Sequence, residues 1–219
     1  MTRPLRLARV RRALIVAPHP DDETIGCGGL VRALVRQGAR VDILVVTDGK
    51  ASHRNSITYP PRRLIHARAR ETRAACAVLG IPAHRLTMLG LPDGGLTPLA
   101  RPAATTIARA TARHARTDLI CLPDPTDAHP DHRAVARACA APFRHARRLF
   151  YLVWPRSGQA PGRTHHLILG RDRALKDRAL SRHRTQLGAI RDDPTGFTID
   201  PATRRRFTGP VERYRAAPK

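Results

Sequence analysis

The sequence predicts an α/β fold, a Rossmann-like domain of three layers (α/β/α) built on a mostly parallel sheet. Apolar runs of strand length alternate with longer stretches of helical periodicity. Polar and acidic residues follow four of these apolar runs, at the position where parallel sheets bind ligands. Hydrophobic residues make up 42% of the 219 residues, which is enough for a sizeable core.

The strands and helices are assigned in chain order from these patterns. Short apolar runs predict strands near residues 13–17, 41–47, 85–89, 119–122, 149–153 and 166–169. The stretches between them predict helices near residues 24–37, 62–79, 99–114, 133–141 and 172–187. Because strands alternate with helices, we expect the strands to run mostly parallel, with helices on both faces of the sheet.

Polar segments follow four of the predicted strands. They are His19 to Glu23, Asp48 to Gly49, Pro92 to Gly95, and Asp124 to His132. Together they hold at least eight of the 17 Asp and Glu residues of the chain. The carboxyl ends of parallel strands meet at one edge of a sheet, so we expect these segments to form one site.

The chain length is that of a single domain, and the sequence shows no internal repeat or long linker. Residues 1–190 carry the alternating pattern, whereas residues 191–219 are rich in Pro and Arg. We interpret this last part as an appendage of the same domain, one that covers it or is partly disordered.

The chain is strongly basic, with 40 Lys and Arg against 17 Asp and Glu and a formal net charge of +23. Such a charge is typical of proteins that bind nucleic acid or anionic membranes. Here the cations are almost all Arg and are spread along the chain, and only 4% of the residues are aromatic and able to stack on bases. We therefore interpret the charge as compositional bias or weak steering, and do not expect nucleic acid to be the partner.

A cytoplasmic location is expected. The four cysteines are far apart and form no CxxC pair, which is typical of a reduced compartment. Residues 1–12 are basic, but the apolar run after them is too short for a signal peptide. No stretch reaches the length of a transmembrane helix, so no membrane span is predicted.

The first polar segment has the composition of a metal site with an attached base. His19 precedes a proline and is therefore favoured in an extended conformation, after which the chain presents Asp21 and Asp22 in different directions. One carboxylate can bind a metal while the other remains free as a base. The simpler alternative, a pair of solvated aspartates, is disfavoured because a second His/Asp cluster follows another strand.

In the second cluster, Pro130 suits the first turn of a helix and places His129 and His132 three residues apart, so that either or both can reach a metal. Two histidines and one carboxylate that leave open positions suit a catalytic zinc ion. The same donors also describe the facial triad of non-haem iron enzymes, so Fe²⁺ is an alternative. A spare Asp beside the metal favours hydrolysis, because activation of water needs a base.

The motifs His19-Pro-Asp-Asp-Glu23 and His129-Pro-Asp-His132 resemble the paired motifs of the PIG-L/LmbE-like deacetylases. This family removes acetyl groups from substrates that contain N-acetylglucosamine. Three further stretches resemble the family, namely Val46 to Gly49, Arg68 to Glu71 and Leu89 to Gly95. The resemblance covers residues 12–155.

The resemblance implies a role for each motif residue. His19, Asp22 and His132 would bind zinc, and Asp21 would be the general base. His129 would stabilise the oxyanion of the tetrahedral intermediate or, when protonated, assist the departing amine.

Other residues are candidates for supporting roles. Asp131 is expected to orient a ligand histidine as a hydrogen-bond acceptor. Arg68 matches a family position on the substrate side of the pocket, and the loop residues Asp93 and His53 are further candidates for substrate contact. His183 and Gln186 lie one helical turn apart and are expected to close the pocket from the C-terminal side.

The expected function is zinc-dependent deacetylation of an N-acetylated amino sugar or a related small glycoconjugate. One alternative is hydrolysis of another small acylated amine. A second alternative, from a different class, is a basic nucleic-acid-binding protein in which the His/Asp clusters are structural. Specificity is expected to come from residues 51–61, residues 155–164 and the C-terminal tail.

Overall fold

The strands of the protein form one mixed sheet. The computed structural model describes residues 2–97, 100–139, 143, 146–156 and 164–216. The strands are β1 (Arg3–Pro4), β2 (Arg12–Ala17), β3 (Arg40–Thr47), β4 (Leu86–Leu91), β5 (Leu119–Pro123), β6 (Arg147–Tyr151), β7 (Thr164–Ile168) and β8 (Val211–Ala216). Their order in the sheet is β1-β7-β8-β6-β5-β2-β3-β4. Strand β8 is antiparallel to both of its neighbours, and the other pairs are parallel.

Helices connect the strands and cover both faces of the sheet. They are α1 (Asp22–Arg36), α2 (Pro61–Val78), α3 (Ala100–Ala112), α4 (Pro130–Ala138), α5 (Asp172–Leu180) and α6 (Pro201–Phe207). Short 3₁₀ turns lie at Lys50–His53, Ala83–Arg85 and Arg184–Leu187. The helices of the described residues include none that is long and apolar enough to cross a membrane.

The core has two parts, one on each face of the sheet. Along β2, Ile15 packs in the cluster under α1, α2 and α5, whereas Leu14 and Val16 pack in the cluster under α3 and α4. This division follows from the strand geometry, because successive side chains point to opposite faces. The predicted three-layer α/β/α architecture with a mostly parallel sheet is confirmed.

Several boundaries differ from those predicted by a few residues, and two of these differences affect the site. Helix α1 begins at Asp22, so the acidic motif runs directly into the helix. The helix predicted over residues 172–187 ends at Leu180, and a separate 3₁₀ turn covers Arg184–Leu187. The turn lets His183 reach the acidic motif, a contact between distant parts of the chain that helical periodicity does not reveal.

The C-terminal part does more than cover the domain. Strand β8 lies inside the sheet, between β6 and β7. Its buried positions hold Glu212 and Tyr214, while Arg213 between them is exposed. Because the inward positions are acidic and phenolic, the strand lacks the apolar alternation by which sequence analysis identifies strands. The expected appendage therefore supplies a strand of the sheet as well as a cover.

Candidate metal and active site

Three loops meet at the carboxyl edge of the sheet. The loop after β2 carries His19 and leads to Asp22 at the start of α1, the loop after β5 leads to His132 in α4, and the loop after β4 carries Asp93. Strand β2 pairs with β5 on one side and with β3 on the other, and β4 pairs with β3. Adjacent parallel strands thus place both His/Asp motifs at one point, as the sequence predicts.

Three donor atoms form a nearly equilateral triangle. His19 Nδ1 lies 3.2 Å from Asp22 Oδ2 and 3.3 Å from His132 Nε2. The third side, from His132 Nε2 to Asp22 Oδ2, is 3.2 Å. Donors about 2.0–2.2 Å from a common ion lie at about this separation from one another. The triangle has the size of a three-residue metal site.

The outer nitrogen of each histidine in the triangle faces carboxylates. His132 Nδ1 lies 3.2 Å from Asp127 Oδ2. His19 Nε2 lies 3.2 Å from Asp93 Oδ1 and 3.4 Å from Asp131 Oδ2. Carboxylates in this position fix the tautomer and the direction of a ligand imidazole. The arrangement therefore leaves Nδ1 of His19 and Nε2 of His132 available for an ion.

The electrostatics of the triangle favour a positive charge among the donors. Burial lowers the pKa of His132, but Asp22 and Asp127 outweigh this effect and raise it to about 9. Burial raises the pKa of Asp22, but His132 and His19 hold it well below its usual range. A divalent cation meets the same requirement, so the donor set fits a metal in charge as well as in geometry.

His129 lies beside the triangle as the N-cap residue of α4. Its Nδ1 accepts the backbone N–H of Asp131 at 3.2 Å, which leaves Nε2 as the donor of the neutral ring. Burial and the neighbouring imidazoles of His19 and His132 lower the pKa of His129. A neutral ring with one free N–H is suited to donate a hydrogen bond to an oxygen that gains negative charge.

Asp21 is held in a strained conformation next to the triangle. Its φ of 142° is rare for an L-residue, and its side chain is buried. Its backbone N–H donates to Glu23 Oε2 at 3.0 Å, and its carboxylate accepts from Arg68. Burial raises the pKa of Asp21, Arg68 lowers it and Asp22 raises it, with the result of about 7. That value suits a general base at neutral pH.

Glu23 joins the motif to the C-terminal half of the chain. Its Oε1 accepts from Thr24 at 2.8 Å and lies 3.3 Å from His183 Nε2. Burial lowers the pKa of His183, but Glu23, Asp21 and Glu71 together outweigh this effect and raise it. Glu23 therefore holds the backbone N–H of Asp21 in place through a hydrogen bond.

A cleft of about 560 Å³ opens over these residues. Its polar end holds His19, Asp21, Asp22 and His129. The other walls are formed by residues from five separate parts of the chain, namely Ala51, Ser52, Arg54, Pro130, Trp154, Gln186 and Phe197. The rings of Trp154 and Phe197 meet edge to face with centroids 5.6 Å apart. The cleft has the volume of a small-ligand pocket with one aromatic wall.

The three residues expected to contact substrate have different positions. Arg68 and Asp93 line the cleft, but their polar groups are engaged with Asp21 and His19. His53 lies behind the cleft wall. Its ring packs so closely against Gly196 that a Cβ added there would lie 2.2 Å from it. Its neighbours Ser52 and Arg54 face the cleft instead.

Sequence analysis missed two contributors to the site. Asp127 lies in the second His/Asp cluster, between Asp124 and His132, but its contact with His132 follows from the fold of that loop. Trp154 lies three positions beyond Tyr151, the last residue of β6, and only the course of the chain brings it to the cleft. Gln186 lines the cleft as expected, whereas His183 contacts Glu23.

Comparison with known proteins agrees with these motifs. The family model described as PIG-L, GlcNAc-PI de-N-acetylase, matches residues 14–142, which is more than half of the chain and includes both motifs. Diacetylchitobiose deacetylase of Thermococcus kodakarensis is 29% identical over 127 residues, covering 57% of this chain and 46% of that protein. The 2'-N-acetylparomamine deacetylase of Streptomyces fradiae is 30% identical over 166 residues, covering 68% and 58%.

The chain matches about half the length of these two relatives. Among solved structures, the N,N'-diacetylchitobiose deacetylase of Pyrococcus horikoshii, in complex with its inhibitor MPG, superposes with a TM-score of 0.75 and 21% identity. The superposition covers 96% of this chain and 85% of that one. At this identity the likeness concerns the fold.

Proposed function

The chain belongs to the PIG-L family, and on this basis we propose that it is a zinc-dependent hydrolase that deacetylates an N-acetylated amino sugar or a related small glycoconjugate. Two of its relatives are named as deacetylases of such sugars, diacetylchitobiose and 2'-N-acetylparomamine. We infer the same type of reaction and the same class of substrate for this chain.

The triangle of His19, Asp22 and His132 is the observation that carries the proposal. Its sides of 3.2 to 3.3 Å, the carboxylates behind both imidazoles and the excess of negative charge fit one divalent ion. Three protein ligands leave positions open, as catalytic zinc sites require. A zinc ion there would polarise the amide carbonyl and lower the pKa of water.

Asp21 and His129 would carry out the proton chemistry around this site. With a pKa of about 7, Asp21 is partly ionised at neutral pH and can take a proton from the attacking water. It can return that proton to the nitrogen of the departing amine. His129, neutral and with Nε2–H free, would donate to the carbonyl oxygen as negative charge develops. Of the two roles considered for His129, its lowered pKa favours that of neutral donor.

The cleft suits a pyranose ring beside the polar end. An aromatic wall formed by Trp154 and Phe197 can pack against the apolar face of a sugar. Ser52 and Gln186 supply hydroxyl and amide groups for its hydroxyls. We propose a small N-acetylated sugar as the substrate on this evidence.

The test begins with chelator-treated protein that is reloaded with one equivalent of Zn²⁺ or Fe²⁺. Acetate release is then measured with N-acetylglucosamine, diacetylchitobiose and N-acetylated amines that lack a sugar. We expect release from the sugars with Zn²⁺. Asp21→Asn should lower kcat by about 10²–10⁴-fold while zinc still binds. The matched control is Asp118→Asn, because Asp118 caps Arg11 and Arg12 on the opposite edge of the sheet.

Four results would contradict the proposal. Protein that binds no stoichiometric divalent metal excludes the metal site, and full turnover by Asp21→Asn excludes the proposed base. Release from acyl amines but not from sugars would favour the alternative of another small acylated amine. Nucleic-acid binding that weakens steeply with salt, without any hydrolysis, would favour the structural alternative for the His/Asp clusters.

A further inference from the structure

Three buried side chains that take no part in the proposed reaction contact the backbone of α1 one turn beyond the acidic motif. They are Lys176 from α5 and Glu212 and Tyr214 from β8, and we call them the α1 clamp. Lys176 is 1% exposed, Glu212 is 6% exposed and Tyr214 is 0% exposed. Lys176 Nζ donates to Glu212 Oε1 at 2.7 Å, and Tyr214 Oη donates to Glu212 Oε2 at 2.5 Å.

The α1 clamp contacts backbone groups at two consecutive steps of the hydrogen-bond ladder of the helix. Glu212 accepts the backbone N–H of Gly29 at 2.7 Å and that of Leu30 at 2.8 Å. In a regular α-helix these two groups donate to the carbonyls of Ile25 and Gly26.

In this helix, the same two carbonyls accept from the other members of the clamp. Ile25 O accepts from Lys176 Nζ at 2.8 Å, and Gly26 O lies 3.1 Å from Tyr214 Oη, whose single proton it shares with Glu212 Oε2. Two consecutive steps of the ladder are therefore contacted by side chains.

Small residues on α1 make room for the clamp. A Cβ added to Gly28 would lie 2.9 Å from Lys176 Cγ, and one added to Gly29 would lie 2.9 Å from Glu212 Oε2. Gly28 and Gly29 therefore leave the space that Lys176 and Glu212 occupy beside the helix backbone. The glycines of α1 and the side chains of the clamp are distant in sequence but complementary in shape.

A buried ion pair such as that of the clamp is weak evidence for a role in stability. Removing a lysine and a glutamate from water is expensive, and well-packed apolar residues in their place are often as stable or more so. A fully satisfied buried network instead specifies one geometry. That geometry concerns the first turn of α1, which carries Asp22 and follows directly on Asp21.

We propose that the α1 clamp is a positioning device, which fixes the direction of the first turn of α1 and thereby the carboxylates of Asp21 and Asp22. The inference rests on the proposed function of those two residues. The C-terminal part of the chain would then contribute to the site without supplying a ligand. Small misplacements of reacting groups are enough to lower a rate by about 10²-fold.

Tyr214→Phe tests the proposal with the least disturbance, because it removes only the hydroxyl that bridges Gly26 and Glu212. The matched control is Thr111→Val, which removes a buried hydroxyl that donates to helix carbonyls, at 2.9 Å to Ile107 and 3.0 Å to Ala108. Thr111 lies in α3, on the other face of the sheet. Both variants lose the same kind of hydrogen bond.

The readouts are zinc affinity, measured by titration of metal-free protein with Zn²⁺ alone, and kcat and KM measured separately. We expect Tyr214→Phe to bind Zn²⁺ about tenfold more weakly and to lose about tenfold or more in kcat, with KM unchanged. Thr111→Val should match the wild type in both. Equal zinc affinity and equal kcat in the two variants would overturn the proposal. Failure of the wild type to bind zinc would instead refute the proposed function.

If Tyr214→Phe does not fold, the wild-type protein still tests the inference. Coupling between two sites is reciprocal, so zinc binding should stabilise the ladder at the clamp. Addition of Zn²⁺ should slow hydrogen exchange of the Gly29 and Leu30 amides more than that of amides in α3. Equal effects of Zn²⁺ on both helices would contradict the clamp's role.

Discussion

Arg68 is a buried hydrogen-bond donor to the carboxylate of Asp21. Its Nη2 donates to Asp21 Oδ2 at 3.1 Å and to the carbonyl of Pro20 at 2.7 Å, while Nη1 donates to the carbonyl of Gly49 at 2.8 Å. The arginine is only 3% exposed. Because a buried cation favours an ionised carboxylate, Arg68 counteracts the effect of burial on Asp21 and also fixes its direction.

Replacing Arg68 by methionine should move the pH dependence of catalysis. Arg68 lowers the pKa of Asp21, so its loss should raise that pKa above about 7. A general base acts in its ionised form, so the acidic limb of the kcat/KM profile should move to higher pH. At neutral pH we expect a fall of about tenfold, partly recovered in alkaline buffer. Arg73→Met, an exposed position on the same helix, is the control, and an unshifted profile would refute the role of Arg68.

Asp127 should control metal affinity through His132. Its Oδ2 lies 3.2 Å from His132 Nδ1 and accepts the backbone N–H of Val153 at 3.0 Å. An amide in its place loses the negative charge that orients and polarises the imidazole. We expect Asp127→Asn to weaken Zn²⁺ binding by about 10–100-fold in a competition titration with a chromophoric chelator. Asp177→Asn, at a surface ion pair, should have no effect, and equal affinities in both variants would exclude this role.

The aromatic wall should contribute to substrate binding and not to the chemical step. Trp154 packs edge to face on both Phe197 and Phe207, with centroids 5.6 and 5.7 Å apart. Trp154→Leu removes the ring while keeping an apolar side chain. We expect KM for an N-acetylated sugar to rise about tenfold, equivalent to the loss of about 1.4 kcal/mol, with kcat little changed. Leu152→Ala serves as the control, and an equal fall of kcat at constant KM would contradict the assignment.

The ion pair between Asp124 and Arg215 should stabilise the protein in a pH-dependent manner. Burial raises the pKa of Asp124, but hydrogen bonds from Arg215 and Thr126 outweigh it and lower the pKa. The stabilisation is therefore complete above the unfolded-state pKa of about 3.9 and is lost as the pH falls through the lower folded-state value.

Arg215→Met should cost about 1 kcal/mol at pH 7, a value reduced because the arginine is one-third exposed. Urea unfolding at pH 7 and near pH 3 measures the difference between this variant and the wild type. We expect the difference to shrink at the lower pH. A difference independent of pH would show that Arg215 acts through packing alone. Arg213→Met, at an exposed position of the same strand, is the control.

The motifs and the strand ends could be predicted because both are local properties of the chain. Apolar runs and helical spacing are enough to place β2, β3 and β5, and the residues directly after β2 and β5 carry the His/Asp motifs. Strand β8 could not be predicted, because the side chains at its buried positions include Glu212. That glutamate is satisfied in the core by Lys176 from α5 and by the Gly29 and Leu30 N–H groups of α1, so its partners come from other elements.

The sequence by itself determined the α/β class, the two His/Asp motifs and their family. Tertiary structure alone decided which nitrogen of each imidazole is available to an ion, because that depends on Asp93, Asp127 and Asp131 lying behind the rings. It also decided that the C-terminal strand contacts the backbone of α1. The physical reason is the same in both cases: periodicity is set by neighbours along the chain, whereas hydrogen bonds between buried polar side chains join segments far apart in it.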